Sequence, residues 1–242
     1  MCYTIEINLS KHALENRFGV KSRPRDFTPR YVVSAFSMPE IPVIAGEEEK
    51  VIDFFRWGLI PSWTRDEQSA KEIRLKTFNA RAETIAEKPA FRDAFRKRRC
   101  LVLVHGFFEW HEWNKKKYPF YIRLRNNEPF ALAGIYDQWL NKETGELITS
   151  VSIVTTEANS IMQKIHNTKK RMPVILPKSK EFEWIDQTVP AEKAGEMLKP
   201  FDPSGMDAHA IAPINPARGD QYLSDDVLNP YQYPELSDLG NF

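Results

Sequence analysis

The chain has 242 residues, 42% hydrophobic and 12% aromatic, which suits a folded globular protein with a substantial core and excludes a disordered chain. Its 34 basic and 33 acidic residues leave a net charge of +1, too little for a generic nucleic-acid coat, so any polyanion site must be a local patch. Two cysteines exclude a disulfide scaffold. No apolar run approaches the roughly 20 residues of a membrane span, and no basic-then-apolar leader opens the chain, so a cytoplasmic protein is expected.

In chain order, CYTIEIN (2–8) alternates and predicts a strand. SKHALENRF (10–18) predicts a short helix capped by Ser10, with Ala13, Leu14 and Phe18 apolar. YVVSAF (31–36), IPVI (41–44) and VIDFFRWGLI (51–60) predict strands. RDEQSAKEIRLK (65–76) is polar and predicts helix or loop; KPAFRDAFRKR (88–98) predicts an amphipathic helix. A β-rich block follows: RCLVLV (99–104), GFFEWHEW (106–113), PFYIRL (119–124), FALAGIYDQWL (130–140) and LITSVSIVTT (147–156). WNKKKYP (113–119), Asn126-Asn127 and Thr144-Gly145 supply its turns. EANSIMQKIH (157–166) predicts a helix with Thr155 or Thr156 as cap. Then come MPVIL (172–176), short helices around Phe182 and Ala191, and a strand near HAIAP (209–213). There is no internal repeat and no βαβ alternation. The expected fold is one α+β domain over residues 1–223, with a curved, largely antiparallel, barrel-like sheet flanked by short helices. Residues 224–242, rich in Pro, Asp and Asn, are expected to form an irregular tail.

Three basic runs are candidate polyanion patches: Arg96 to Arg99, Lys115 to Lys117, and Lys169 to Arg171. Solvated loop surface is the better reading for Lys115 to Lys117. Four segments carry residues suited to chemistry. Cys2 directly follows Met1, and aminopeptidases trim methionine ahead of small residues. Trimming leaves an α-amine, with a reference pKa of about 7.7–8.0, beside a thiol at about 8.5, so both nucleophiles are expected to be partly active near neutral pH. The alternative is a small buried core residue. In TFNARAET (77–84), alternation puts Asn79, Arg81 and Glu83 on one face, where Asn and Arg can hold a phosphate and a sugar oxygen; a solvent-facing strand edge is the plain alternative. In GFFEWHEW, Phe107, Glu109 and His111 share a face, and an aromatic-walled Glu109 suits acid–base work as well as it suits a salt bridge to an arginine. In IMQKIHNTKKRMPVIL (161–176), His166 closes a helix, a place where the helix dipole alone favours histidine. The five His and two Cys show no metal-ligand spacing, and there is no P-loop and no GxGxxG, so no metal and no cofactor are expected.

The order of Met1-Cys2, RWGLIPSW (56–63), NARAET (79–84), RRCLVLVHGFFEW (98–110) and a histidine shortly before RMPVIL (171–176) resembles the SRAP family, the SOS response-associated peptidases, over roughly residues 1–215. The resemblance implies a single α+β domain that senses abasic sites in single-stranded DNA and crosslinks to them through its N-terminal cysteine, acting as a monomer. Cys2 resembles the crosslinking nucleophile and Asn79 the residue that positions the deoxyribose. Glu109 and His166 resemble the acid–base pair. Arg81 and Arg171 resemble phosphate or structural partners, Lys169 and Lys170 lie along the same expected phosphate track, and Trp63 resembles part of the DNA-contacting wall. Two departures stand out. Thr4 occupies the place of an arginine common near the cysteine in the family, and four residues, Asn167 to Lys170, separate His166 from Arg171 where many members have one. The insertion is expected to alter the loop that positions His166.

The chemistry gives a reason for cysteine at position 2. The open form of an abasic sugar is an aldehyde. An amine condenses with it to an imine, and a thiol two bonds from that nitrogen closes a thiazolidine ring intramolecularly. The same imine permits β-elimination, so a weak lyase activity is expected beside it. Two rivals come from other classes. One is a thiol peptidase or autopeptidase using Cys2 and His166, although no orienting Asp or Asn is evident. The other is a non-catalytic single-strand binder stacking bases on Trp57 and Trp63.

Overall fold

The computed structural model describes residues 2–24, 28–46 and 49–236; Met1, and with it the expected trimming step, and residues 237–242 of the expected tail lie outside the described residues. In chain order the elements are β1 (Thr4–Ile7), α1 (Lys11–Phe18), β2 (Lys21–Ser22), β3 (Arg30–Ser34), β4 (Glu40–Ala45), β5 (Val51–Trp57), α2 (Glu67–Arg74), β6 (Asn79–Arg81) and α3 (Arg92–Lys97). They continue as β7 (Arg99–Val104), β8 (Gly106–Trp113), β9 (Lys116–Leu124), β10 (Phe130–Leu140), β11 (Leu147–Glu157), α4 (Ser160–Ile165), β12 (Arg171–Pro173), α5 (Glu181–Ile185), α6 (Ala191–Gly195) and β13 (Met206–Ala210).

Five strands close a ring. β11 pairs β10, β10 pairs β7, β7 pairs β4 and β4 pairs β5, all antiparallel. A parallel contact of β5 with β11, at Arg56 with Ser150 and Trp57 with Val151, completes it. The expected α+β domain with a barrel-like, largely antiparallel core is therefore what the chain forms, and the ring leaves no open edge among these five strands. A second, wholly antiparallel sheet has the order β13-β9-β8-β1-β3.

Alternation decides the two cores. Cys100, Val102 and Val104 of β7 face one apolar cluster, which they share with Ile5, Phe107, Phe120 and, from α4, Met162 and Ile165. Leu101 and Leu103 face the other, formed with Leu14, Phe18, Phe95 and Trp184 of the helices. Both faces of β7 and β10 are thus buried, which is why they read as continuous apolar runs. Ser10 caps α1 by accepting from the Ala13 N–H at 3.1 Å, as expected. The cap of α4 is Asn159, accepting from the Met162 N–H at 3.0 Å, and not Thr155 or Thr156, because β11 continues to Glu157.

Two basic runs change meaning. Arg99 is fully buried and donates to the carbonyls of Trp184 (2.6 Å), Asp186 (2.5 Å), Val189 (2.9 Å) and Phe95 (3.2 Å). It ties the α3 and α5 ends to β7, and Arg98 pairs with Asp137 at 3.1 Å, so of the 96–99 run only Arg96 and Lys97 stay exposed. The 113–119 turn is tighter than expected. Trp113 pairs Lys116, and Asn114 and Lys115 alone form the turn with positive φ (49° and 63°), which places Lys116 and Lys117 in β9. From Pro216 onward the chain runs as short 3-10 turns, and Tyr233 and Leu236 pack against the core.

β1 is anchored by Glu6, which is fully buried and accepts from the Tyr121 hydroxyl; His105 approaches its carboxylate at 3.3 Å. The Tyr121 ring lies against Gly106, where a Cβ would meet the ring at 2.2 Å. Gly106→Ala must displace the ring that holds Glu6. Overpacking of this kind typically costs about 1–3 kcal/mol, and a denaturant titration is expected to show at least such a loss; an unchanged midpoint would mean the ring moves freely.

Candidate active site

The site follows from a mismatch in strand length. β1 pairs β8 only through Glu6 with Gly106, Ile5 with Phe107 and Thr4 with Phe108. β8 runs five residues further beside β9. Among the described residues no strand continues the β1 lane past Thr4. A cleft of about 800 Å³ opens there, lined by Tyr3, Arg81, Glu109, Trp110, Lys117, His166, Lys169 and Arg171, among others. Cys2 sits where β1 ends, fully buried at the side of this cleft.

Asn79 on β6 donates from Nδ2 to the Cys2 carbonyl at 2.9 Å, so it holds the backbone of the cysteine and leaves the thiol alone. Its Oδ1 is buried and has no hydrogen-bond partner among the described residues. β6 reaches this place by parallel pairing with β11, Asn79 opposite Ile153. Burial pushes the Cys2 thiol well above its ordinary pKa, and the negative charge of Glu109 pushes it further. Both effects oppose the partly ionised thiol expected near neutral pH: a thiolate loses its hydration here and meets a carboxylate. Tyr3 is raised for the same reasons, burial first and then Glu109.

The period-two reading of β8 holds. Phe107, Glu109 and His111 are all buried on one face, while Phe108 belongs to the cluster on the other. Glu109 meets His166, the residue that closes α4, Oε1 to Nδ1 at 3.7 Å. The same Nδ1 donates to the Arg171 carbonyl at 2.9 Å, so Nδ1 carries a proton whichever way the ring is charged. The four residues between His166 and Arg171 form a closed turn. The Lys170 N–H donates to the His166 carbonyl at 2.8 Å with Lys170 at a positive φ of 50°, and the chain returns at Arg171. The turn leaves His166 seated against β8.

Other expectations divide. β6 ends at Arg81, and Glu83 lies in a 3-10 turn, so the expected common face of Asn79, Arg81 and Glu83 does not extend to Glu83. Glu83 still serves the site. Both its oxygens bind the Arg171 guanidinium, one at 3.0 Å, and Arg171 also donates to the Thr155 carbonyl at 2.7 Å. Burial pushes the Glu83 carboxyl up, but the Arg171 hydrogen bonds, its own backbone N–H and the charges of Arg171 and Arg81 together hold it below the usual range. Arg171 is buried and engaged; Arg81 is exposed, 3.7 Å from Glu83, and reaches the cleft. Lys169 and Lys170 are exposed, and Lys169 lines the cleft. Trp63 is 57% exposed but does not line it. Trp57 is fully buried with its Nε1–H on the Phe78 carbonyl at 3.0 Å, which removes it from any stacking role. Thr4 is buried between Ser34 and Phe108 and turns no group to the cleft. Tyr3 and Trp110 were not singled out from the sequence, and Lys117, for which solvated loop surface was the preferred reading, lines the cleft from β9, where it pairs with Glu112. Among the described residues no three His, Cys, Asp or Glu side chains are grouped to hold a metal ion, and no helix is long and apolar enough to cross a membrane.

Comparison with known proteins points one way. Residues 1–214 match the SOS response associated peptidase (SRAP) family. The chain is 35% identical over 191 residues to the abasic site processing protein YoqW of Bacillus subtilis, covering 78% of this chain and 81% of that one. It is 31% identical over 178 residues to the abasic site processing protein HMCES of Xenopus tropicalis, covering 65% of this chain and 52% of that longer protein. Among solved structures, a protein from Bacteroides thetaiotaomicron superposes with a TM-score of 0.87 at 37% identity, over 96% of this chain and all of that one.

Proposed function

The chain belongs to the SRAP family, and from that premise we propose that it processes abasic sites in DNA, by trapping the sugar aldehyde of a single strand as a thiazolidine on Cys2. The observation that carries this reading is the neighbourhood of Cys2: its carbonyl is held by Asn79, and the paired Glu109 and His166 stand beside it in a cleft edged by exposed cations.

Loss of Met1 frees the Cys2 amine. The amine adds to the C1′ aldehyde of the open sugar, and loss of water gives an imine. The thiol then adds to the imine carbon. Its sulfur forms the new bond, its proton leaves, and the imine nitrogen gains a proton, so the net change is one water lost. Glu109 is assigned to move these protons, with His166 as its partner. The high pKa of the thiol suits this order. The amine reacts first, and the thiol gives up its proton only within the closed site.

The same observation weighs against the thiol peptidase. Cysteine proteases lower the thiol pKa with a paired histidine, whereas burial and Glu109 raise it here, and His166 is turned to Glu109 and the Arg171 carbonyl. A denaturing gel of the protein with abasic and intact single strands tests the reading. A heat-stable shifted band is expected with the abasic strand alone, and no band with either strand would sink it.

Arg81 is assigned to the DNA backbone, because it is the exposed guanidinium of the cleft while Arg171 is bound by Glu83. Arg81→Ala is expected to weaken single-strand binding and to flatten the plot of log affinity against log salt by about 0.7, one phosphate's share of counterion release. An unchanged slope would make Arg81 structural.

A further inference from the structure

We propose that His111 and Asn167 are positioning residues that set the Glu109–His166 contact, by bolting the end of α4 to the open edge of β8. The proposal rests on the reading that Glu109 and His166 act together on the sugar.

The β8 edge is open for a reason that can be traced through the backbone. The Pro119 carbonyl accepts from the Ile211 N–H at 3.0 Å, so Pro119 turns its backbone groups away from β8. Trp110, opposite Pro119, must turn its own away from β9, and so must Glu112, two residues on. These groups face the lane that β1 leaves vacant. Asn167 fills part of it. Its Oδ1 accepts from the Glu112 N–H at 3.0 Å, and its Nδ2 donates to the Glu112 carbonyl at 2.9 Å. One side-chain amide thus supplies the pair of hydrogen bonds that a neighbouring strand residue would supply.

His111 makes the second bolt, on the buried face that also carries Glu109. Its Nδ1–H donates to the Lys164 carbonyl at 2.8 Å, in the last turn of α4. The ring is buried, lies edge-on to Phe120, and its Nε2 has no hydrogen-bond partner. Among the described residues the one hydrogen bond of the ring is therefore the one to α4. Lys164 and Asn167 flank His166 in sequence, and His111 and Glu112 lie just beyond Glu109. The two bolts bracket the contact from both sides. Such bracing matters because α4 has six residues, too few to hold its own end, and a four-residue turn, Asn167 to Lys170, follows His166.

The test uses the full chain and two readouts. Asn167→Ala and His111→Ala are expected to slow single-turnover crosslinking at saturating abasic single strand by between about 10- and 100-fold, the cost of an ångström-scale misplacement. Affinity for intact single strand should not change. His111→Asn puts an amide donor near the position of Nδ1 and is expected to restore the rate. Asn167→Asp keeps the acceptor, loses the donor and should fall between. If Asn167→Ala fails to fold, the Asp and His111→Asn variants carry the test. The second readout needs no DNA: the ¹⁵N shifts of His166 should report the Nδ1–H tautomer in the native protein and a mixture in the alanine variants. Native rates together with native His166 shifts in both alanine variants would overturn the proposal. A native protein that forms no adduct would overturn the crosslinking reading instead, and the His166 shifts would still decide the bolts.

Discussion

A protein with one glycine inserted between Met1 and Cys2 is expected to lose the heat-stable adduct entirely. The thiol survives, but the nitrogen on the adjacent carbon becomes an amide and is no longer nucleophilic. The new terminal amine stands about 3.5 Å of chain further out. Ring closure to a thiazolidine needs amine and thiol on neighbouring carbons, and it draws on effective molarities of about 10⁵–10⁸ M that the insertion forfeits. Cys2→Ala should lose the adduct as well, with the local structure kept, because Asn79 holds the Cys2 carbonyl and not its side chain. Intact-mass measurement of the native protein after reaction should show Met1 gone and one abasic strand added with loss of one water. A glycine-extended protein that crosslinks as fast and as stably as the native chain would show that the amine has no part, and a simple thiol adduct would replace the proposal.

Glu109→Gln is expected to slow adduct formation by about 10²- to 10⁴-fold, the usual contribution of a general acid–base group, with little change in single-strand affinity. The substitution keeps shape and removes the exchangeable proton. It also has an opposing effect. The charge of Glu109 is the second cause, after burial, that holds the Cys2 thiol un-ionised. Removing it lowers the thiol pKa and frees thiolate. If thiolate supply limited the reaction, the variant would be faster; if proton transfer limits it, the variant is slower. Stopped single-turnover time courses at one pH separate the two by sign. A faster Glu109→Gln protein would mean that Glu109 restrains the thiol and does not shuttle protons.

The sequence by itself determined the features that rest on local geometry or on a composite of motifs. Alternation in GFFEWHEW put Phe107, Glu109 and His111 on one buried face, since successive strand residues point to opposite sides. Ser10 followed by an apolar helix face made a cap legible, because a cap is satisfied within four residues. The joint motifs carried the family, and with it the barrel-like α+β core. Tertiary structure alone decided which groups meet. Glu109 had a histidine and several arginines as possible partners; His166, 57 residues away, is the one at 3.7 Å because α4 packs across β8. Arg99 and Arg171 look alike as members of basic runs, yet one is enclosed by backbone carbonyls and the other by Glu83 and Thr155. Trp57 and Trp63 share one motif, and barrel closure at Val151 buries the first while the second stays exposed. The ionisation of Cys2 belongs to the same class. Reference values describe a thiol in water, and the shift comes from lost hydration and a carboxylate brought near by folding. Spacing along a chain reports backbone geometry; desolvation and charge pairing depend on distances through space between segments that the chain itself keeps far apart.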